Sequence, residues 1–426
     1  MPRRKKRSIA TMDSDSEPHR RQMEIYLHIP FCASACDFCF YAKTVGASRT
    51  VRLRYLAALE REIEYRWNPY RHDPPLIRSV YVGGGTPSLL GPDEWETLGN
   101  MLNRHLDLSR VAEFTVECNP AISSRPKFEV LSKIGVNRLS WGVQILDDHV
   151  LTGLGRSVSR AGSAEALRRN VQDARAVGID NLNCDLLMGL PGETAETVAI
   201  GLDLLFELEI PHISVYPLQV SAETPLFVRL LLGQIKSSPR PERLHRYQEV
   251  IARLERSGYT RLGIAYFVRS ESYACRQHRN IWNGGDFMGF GVSGQSFEAG
   301  RVARNHNTVD AYLRSVPARV LAVSWQLGVD DLIRRWALMR LSKTLGFRSS
   351  ELAQTWGERG QEILAPAIDA MVAAGLARNS DDGVWLTEDG IGQTERLPIE
   401  FLHFEQREYC RKALHARVSP TASPPR

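Results

Sequence analysis

The stretch Tyr26-Leu-His-Ile-Pro-Phe-Cys32-Ala-Ser-Ala-Cys36-Asp-Phe-Cys39 joins a strand-like apolar run to three cysteines within eight residues. A fully extended chain reaches about 3.5 Å per residue and would overshoot a single metal centre, so the spacing predicts a loop curled around one iron–sulfur cluster. Three thiolates on a four-iron cube leave one iron without a protein ligand, and an open metal position is a catalytic one. The competing reading is a structural zinc site made from the three thiols and His28. Structural zinc usually draws ligand pairs from two separate turns, whereas here all three thiols share one turn and no second pair exists.

The 426 residues suffice for one barrel-sized domain and a smaller companion. Composition is that of a globular protein, 43% apolar and 24% charged, with no apolar run long enough to cross a bilayer. The basic start Met1-Pro-Arg-Arg-Lys-Lys-Arg7 leads into Ser, Asp and Glu instead of an apolar core, so it is not a secretory signal and a cytoplasmic location is expected. The remaining cysteines, Cys118, Cys184, Cys275 and Cys410, are too scattered for a disulfide framework. The net charge of +5 owes much to Arg3–Arg7, and no basic face interleaved with aromatics argues for nucleic acid. Residues 1–22 and 406–426 read as disordered tails.

Between them, short β-branched or aromatic runs alternate with helical patterns, as in a parallel α/β sheet. Strands are expected at Glu24–Phe31, Ser79–Gly84, Glu113–Cys118, Arg138–Gln144, Asn181–Met188 and His212–Leu218, and helices at Tyr55–Trp67, Ala164–Val177 and Thr194–Leu208. Six such units make a partial (β/α)6 barrel over residues 23–318. Nearly every strand ends in polar or glycine residues, which should converge on one mouth at the C-terminal ends. Residues 319–405 read as a helical, winged-helix-like module. Its would-be recognition helix, from Glu362, carries no Arg or Lys to meet phosphates, so a substrate-covering lid is preferred over DNA binding.

Gly83-Gly-Gly-Thr-Pro87 directly follows a strand, and its side-chain-free positions would let a ligand's amino group approach backbone carbonyls. Gly289-Phe-Gly291-Val-Ser-Gly294 lacks a clear preceding strand and reads as a close-packed turn. The CxxxCxxC pattern with Phe38 before the last cysteine resembles the radical S-adenosylmethionine (SAM) superfamily. Tyr26–Cys32, Gly83–Pro87, Trp141-Gly-Val-Gln144 and Asp185–Gly192 narrow the resemblance to its oxygen-independent coproporphyrinogen oxidase (HemN-like) branch, over roughly residues 23–400. The resemblance implies a [4Fe-4S] cluster on Cys32, Cys36 and Cys39. It also implies two SAM molecules, with matching positions at Tyr26, Phe38, Gly84, Gly85, Thr86, Glu117, Gln144, Arg156 and Asp185. Asp185 and Gln144 suit ribose hydroxyls, Arg156 a methionine carboxylate, and Glu117 an ammonium or ribose.

Two features set the chain apart within that branch. Coproporphyrinogen enzymes usually carry a fourth cysteine where this chain has Tyr41, and the haem-chaperone pattern is altered in His278-Arg-Asn-Ile-Trp282. The Cys39-Phe-Tyr-Ala-Lys43 and Tyr273-Ala-Cys-Arg-Gln277 segments resemble the class C methyltransferases and cyclopropanases of natural-product pathways. The expected activity is therefore electron delivery from a low-potential donor such as flavodoxin or ferredoxin, SAM cleavage to a 5′-deoxyadenosyl radical, and transfer of a methyl or methylene carbon to an sp² carbon of an aromatic or heteroaromatic small molecule. Oxidative decarboxylation of coproporphyrinogen III and haem carriage are the alternatives. Cys275 is the candidate catalytic residue, with Tyr266, Tyr273 and His278 as weaker acceptor contacts.

Overall fold

Along six strands of the chain, apolar and polar residues alternate. They are β1 (Gln22–Ile29), β2 (Leu76–Gly84), β3 (Glu113–Cys118), β4 (Arg138–Gln144), β5 (Asn181–Met188) and β6 (His212–Pro217) in a computed structural model that describes residues 21–393. A pleated strand turns successive side chains to opposite faces. Ile25, Leu27, Val80, Val82, Val116, Leu139, Trp141, Leu182 and Ile213 are accordingly buried on the outer face, beneath helices. The inner face carries Glu24, Tyr26 and His28, then Ser79 and Tyr81, Glu113 and Glu117, Arg138 and Ser140, Asn183 and Asp185, and Ser214 and Tyr216. Register places these side by side, with Tyr26 opposite Tyr81, Glu117 opposite Ser140, and Asp185 opposite Ser214.

The intervening helices are α1 (Arg49–Trp67), α2 (Pro92–His105), α3 (Arg125–Lys133), α4 (Ser163–Ala176) and α5 (Ala195–Glu207). Four of the five start at a cap or a proline: Ser48 and Thr194 accept from free amides in the first turns of α1 and α5, and proline stands in the first turn of α2 and α3. In α4, Ala166, Leu167, Asn170, Val171 and Ala174 form the buried stripe at helical spacing.

The sheet runs further than six strands. Past β6 it adds β7 (Thr260–Arg261) and β8 (Tyr266–Val268), antiparallel. On the other side β9 (Phe287–Phe290) lies parallel to β1, followed by antiparallel β10 (Gln295–Glu298), β11 (Arg301–Asn305) and β12 (Leu321–Gln326). Gly289 is therefore inside a strand, not a turn, which corrects the sequence reading. A Cβ on Gly291, at φ +87°, would lie 2.6 Å from the His28 carbonyl, so the sheet closes here only around glycine. Two boundaries also move. Arg21 is held by Asp286 and Gln22 opens β1, so neither belongs to a tail. Leu321–Gln326 completes the large sheet instead of opening the second module. The rest of the expected tails, with Cys410, lies outside the described residues.

The C-terminal part comprises α7 (Val329–Thr344), α8 (Ser349–Ala373, interrupted at Gly357 with φ 57°), and a three-stranded sheet of β13 (Gly346–Arg348), β15 (Gly383–Leu386) and β14 (Ala377–Ser380). It has its own core around Ile333, Trp336, Phe347, Leu364 and Met371, which Ile264 of the barrel joins. The amide of Ile264 donates to the carbonyl of Lys343 at 3.2 Å, and the Arg335 guanidinium lies 3.6 Å from the centre of the Phe297 ring. Between barrel and module sits α6 (Arg276–Trp282). Among the described residues no helix is long and apolar enough to cross a membrane.

Candidate active site at the barrel mouth

The cysteine loop leaves β1 at its C-terminal end and is tied down on both sides. Phe31–Cys32 pairs with Thr44–Val45, and the Asp37 amide donates to the Leu154 carbonyl at 2.9 Å. Arg229 forms an ion pair with Asp37 and donates to the Gly153 carbonyl at 2.8 Å. Phe38 packs beneath the loop with Ile145, Leu151, Leu154 and Leu226. Its ring thus anchors the loop that carries the thiols. Cys32 is buried, while Cys36 and Cys39 are half-buried. The Thr86 hydroxyl lies 3.5 Å from Cys32 Sγ and Arg156 Nη1 lies 3.6 Å from Cys36 Sγ; burial raises the Cys32 thiol despite its donor.

Beside the thiols, the glycine segment needs its missing side chains. A Cβ on Gly83 would meet the Glu117 carboxylate at 2.9 Å, one on Gly84 the His28 ring at 2.7 Å, and one on Gly85 Cys32 Sγ at 3.0 Å. His28 cannot move aside. Its Nε2 donates to the Ala42 carbonyl at 3.1 Å, so its Nδ1 is the acceptor for the Tyr26 hydroxyl, also at 3.1 Å. Burial lowers its pKa to about 4, which keeps the ring neutral. Both nitrogens are engaged, and the zinc alternative loses its fourth ligand. Around one zinc, with Zn–S near about 2.3 Å, donor atoms would converge tightly; among the described residues no three His, Cys, Asp or Glu side chains do so. Three thiols on one loop are the donor chemistry of an iron–sulfur cube that keeps one iron open.

Glu117 and Asp185 form the next layer. Tyr81 donates to Glu117 Oε1 at 2.9 Å and the Gly84 amide to Oε2 at 3.0 Å. Burial, reinforced by the Asp185 charge, pushes the Glu117 carboxyl up to about 7. Asp185 accepts from Ser140 and Asn183, each at 2.9 Å, and burial raises it despite these donors. Gln144 sits at a β-bulge with φ 68°, a costly conformation for a residue with a side chain. Its amide folds back over Gly142, where a Cβ would lie 2.9 Å from Nε2. Arg156 bridges this corner to the cysteine loop through the Gly142 carbonyl and Cys36. Tyr26, Gly84, Gly85, Thr86, Glu117, Gln144, Arg156 and Asp185 thus share one rim with the three thiols. The rim also includes Tyr41, whose hydroxyl is near enough for the charges of Glu117 and Asp185 to act on it.

Cys275 lies at the opposite end. It is buried on the barrel floor, donates to Glu113 Oε1 at 3.4 Å, and is pushed far above the usual thiol range by burial. Tyr273 is also at the floor, where its carbonyl lies 3.2 Å from His212 Nδ1. Of the two segments behind the resemblance to methyl-transferring enzymes, Tyr273–Gln277 is therefore floor structure, while Cys39–Lys43 belongs to the cysteine loop. Sequence reading missed Tyr81, an inner-face aromatic, although the period-two pattern of polar residues in β2 marks it; Tyr216, at the end of β6, belongs to the polar strand ends expected at the mouth. A TIM-barrel interior is packed with branched apolar side chains, and this one is not.

Comparison with known proteins agrees with this geometry. Residues 26–205 match the Radical SAM superfamily. The chain is 30% identical over 372 residues to the heme chaperone HemW of Mycobacterium tuberculosis, covering 84% of this chain and 93% of that protein. It is 30% identical over 395 residues to the oxygen-independent coproporphyrinogen III oxidase of Salmonella typhimurium, covering 87% and 83%. The structure of coproporphyrinogen III oxidase (HemN) from Escherichia coli, a radical SAM enzyme, superposes with a TM-score of 0.76 at 26% identity over 90% of this chain and 91% of that one. From these matches, the chain belongs to the radical SAM superfamily, among its HemN-like members, and its cofactors are a [4Fe-4S] cluster and SAM.

Proposed function

We propose that this chain handles a tetrapyrrole at a radical SAM site, with Cys32, Cys36 and Cys39 holding the cluster. The observation that carries the SAM site is the meeting of thiols, glycine cradle and carboxylate pair on one rim. When bound and reduced, the cluster supplies the electron that cleaves SAM to methionine and a 5′-deoxyadenosyl radical. The protein's own groups bind and orient. The Gly83–Gly85 backbone receives the methionine end of SAM, and Arg156 is placed for its carboxylate. Asp185, held by Ser140 and Asn183, and Gln144 take ribose hydroxyls. Glu117, with its carboxyl near neutrality, accepts an ammonium or hydroxyl proton without a fixed full charge in the buried layer.

The tetrapyrrole comes from the relatives. Haem carriage is favoured over porphyrinogen decarboxylation because Tyr41 stands where the oxidases usually carry a fourth cysteine, while the altered His278–Trp282 pattern weighs on the other side. Methyl transfer to a natural-product acceptor has no support among these relatives. The test is anaerobic reconstitution with iron and sulfide, then reductant and methyl-deuterated SAM, with hemin or coproporphyrinogen III present. Formation of 5′-deoxyadenosine, lost in Cys36→Ala, with stoichiometric hemin binding and release to an apo-haemoprotein, is expected. Release of CO₂ from coproporphyrinogen III would replace carriage by decarboxylation, and deuterated 5′-deoxyadenosine with S-adenosylhomocysteine would restore methyl transfer.

A further inference from the structure

A groove of about 750 Å³ opens outside the barrel, between the last turns of α1 and the strands β10 and β11. Tyr65, Tyr70, Met288 and Leu321 give it an apolar side. Its charges are unbalanced. Arg66 is held by Glu62 at 2.7 Å and Ser296 at 3.1 Å, and Glu298 accepts from Arg21 at 3.1 Å and from the Tyr70 hydroxyl. Arg61, Arg71 and Arg301 are exposed and form no ion pair among the described residues, where Glu64 is the one other carboxylate lining the groove.

The described chain begins at this groove. Besides its bond to Glu298, the Arg21 guanidinium lies 6.0 Å from the centre of the Tyr70 ring. Shortly before it the sequence runs Asp13-Ser-Asp-Ser-Glu17, with three carboxylates in five residues and no cation. At about 3.5 Å per residue, Glu17 lies within about 14 Å of Arg21 and Asp13 within about 28 Å, so the run is tethered beside the three arginines. An isolated surface ion pair contributes little, but several charges that converge on one tethered segment add up. The basic run Arg3–Arg7 is repelled by the same arginines, which sets the register on the acidic residues.

We propose that Asp13–Glu17 lies in this groove and pairs with Arg61, Arg71 and Arg301. The acidic run is then a strap that fastens the start of β1 to α1 and to the antiparallel strands. The other end of β1 delivers the cysteine loop, so the strap steadies the site from the far end of the barrel.

The experiment follows hydrogen exchange by mass spectrometry in the full-length protein at low salt. It compares wild type with Asp13→Asn/Asp15→Asn/Glu17→Gln, with Arg71→Glu/Arg301→Glu, and with the latter pair combined with Asp13→Lys/Asp15→Lys. Residues 11–18 and the groove segments 68–72 and 299–302 should exchange about fivefold faster in the first two variants and return towards wild type in the third. Salt at 1 M should remove the wild-type protection. Wild-type exchange over residues 11–18 at the rate of an unstructured chain would overturn the strap. Faster exchange in Arg71→Glu/Arg301→Glu without recovery by the reversed charges would mean a structural role for the arginines and also overturn it. Protection that grows with protein concentration would assign the groove to a second copy of the chain, and protection that persists in 1 M salt would refute the ion pairing.

Discussion

Substituting Gly84 by alanine tests the geometry of the mouth most directly. Two costs combine there. Gly84 has φ +116°, a region closed to side chains, and its Cβ would lie 2.7 Å from the His28 ring. Backbone strain of this kind costs about 1–3 kcal/mol, and overpacking against a fixed neighbour about 1–3 kcal/mol more. The ring is fixed because both nitrogens are hydrogen-bonded at 3.1 Å. Gly135→Ala is the control, since Gly135 has φ +96° with nothing within 4 Å of its Cβ. Denaturant unfolding should place Gly84→Ala about 1–3 kcal/mol below Gly135→Ala. Adding His28→Ala to Gly84→Ala should recover part of that gap, whereas adding it to Gly135→Ala should not. Formation of 5′-deoxyadenosine should fall sharply in Gly84→Ala, because the displaced amide is the one that donates to Glu117. Equal stabilities for the two alanine variants, or no relief from His28→Ala, would refute the tight cradle.

Other tests address separate layers. The Glu117 carboxyl, raised from 4.5 to about 7, makes the folded state bind the extra proton between those values. Stability from this group is complete below pH 4.5 and is lost as pH rises through 7, by about 3 kcal/mol, so Glu117→Gln should flatten the urea-midpoint profile between pH 5 and 8. Arg229→Ala, which removes the Asp37 pair and a carbonyl contact, should speed loss of iron to a chelator from the reconstituted protein without abolishing folding. Cys275→Ser should keep 5′-deoxyadenosine formation within about twofold, and a large loss would contradict its place on the floor.

Strand ends were legible where composition changed sharply. Glu113–Cys118, Arg138–Gln144 and Asn181–Met188 begin and end in the structure where apolar alternation meets polar or glycine residues. The cysteine loop and glycine segment were equally readable, because glycine and cysteine are chosen for local geometry and chemistry. Strand β9 was not, since it is only four residues long with a glycine inside it and its partner β1 lies more than 250 residues away. The break at Gly357 divides α8, and the helical pattern read from Glu362 begins just beyond it. Cys275 was misplaced for a related reason: a lone thiol carries no information about which end of a barrel it faces. The floor pairing of Glu113 with α6 is a long-range contact that no local pattern encodes.

The alternation along the barrel strands divides their labour. Outward residues hold helices, while inward residues line the mouth or pair with one another and with α6 at the floor, so one strand serves two nearly independent sets of constraints. Inward substitutions can then alter which molecule is accepted without dismantling the scaffold, and outward ones can drift in sequence while the chemistry persists. Such a partition lets a single architecture diversify by exchanging a few inward side chains, and it makes the inward set of β2, β5 and β6 the rational place to redirect specificity.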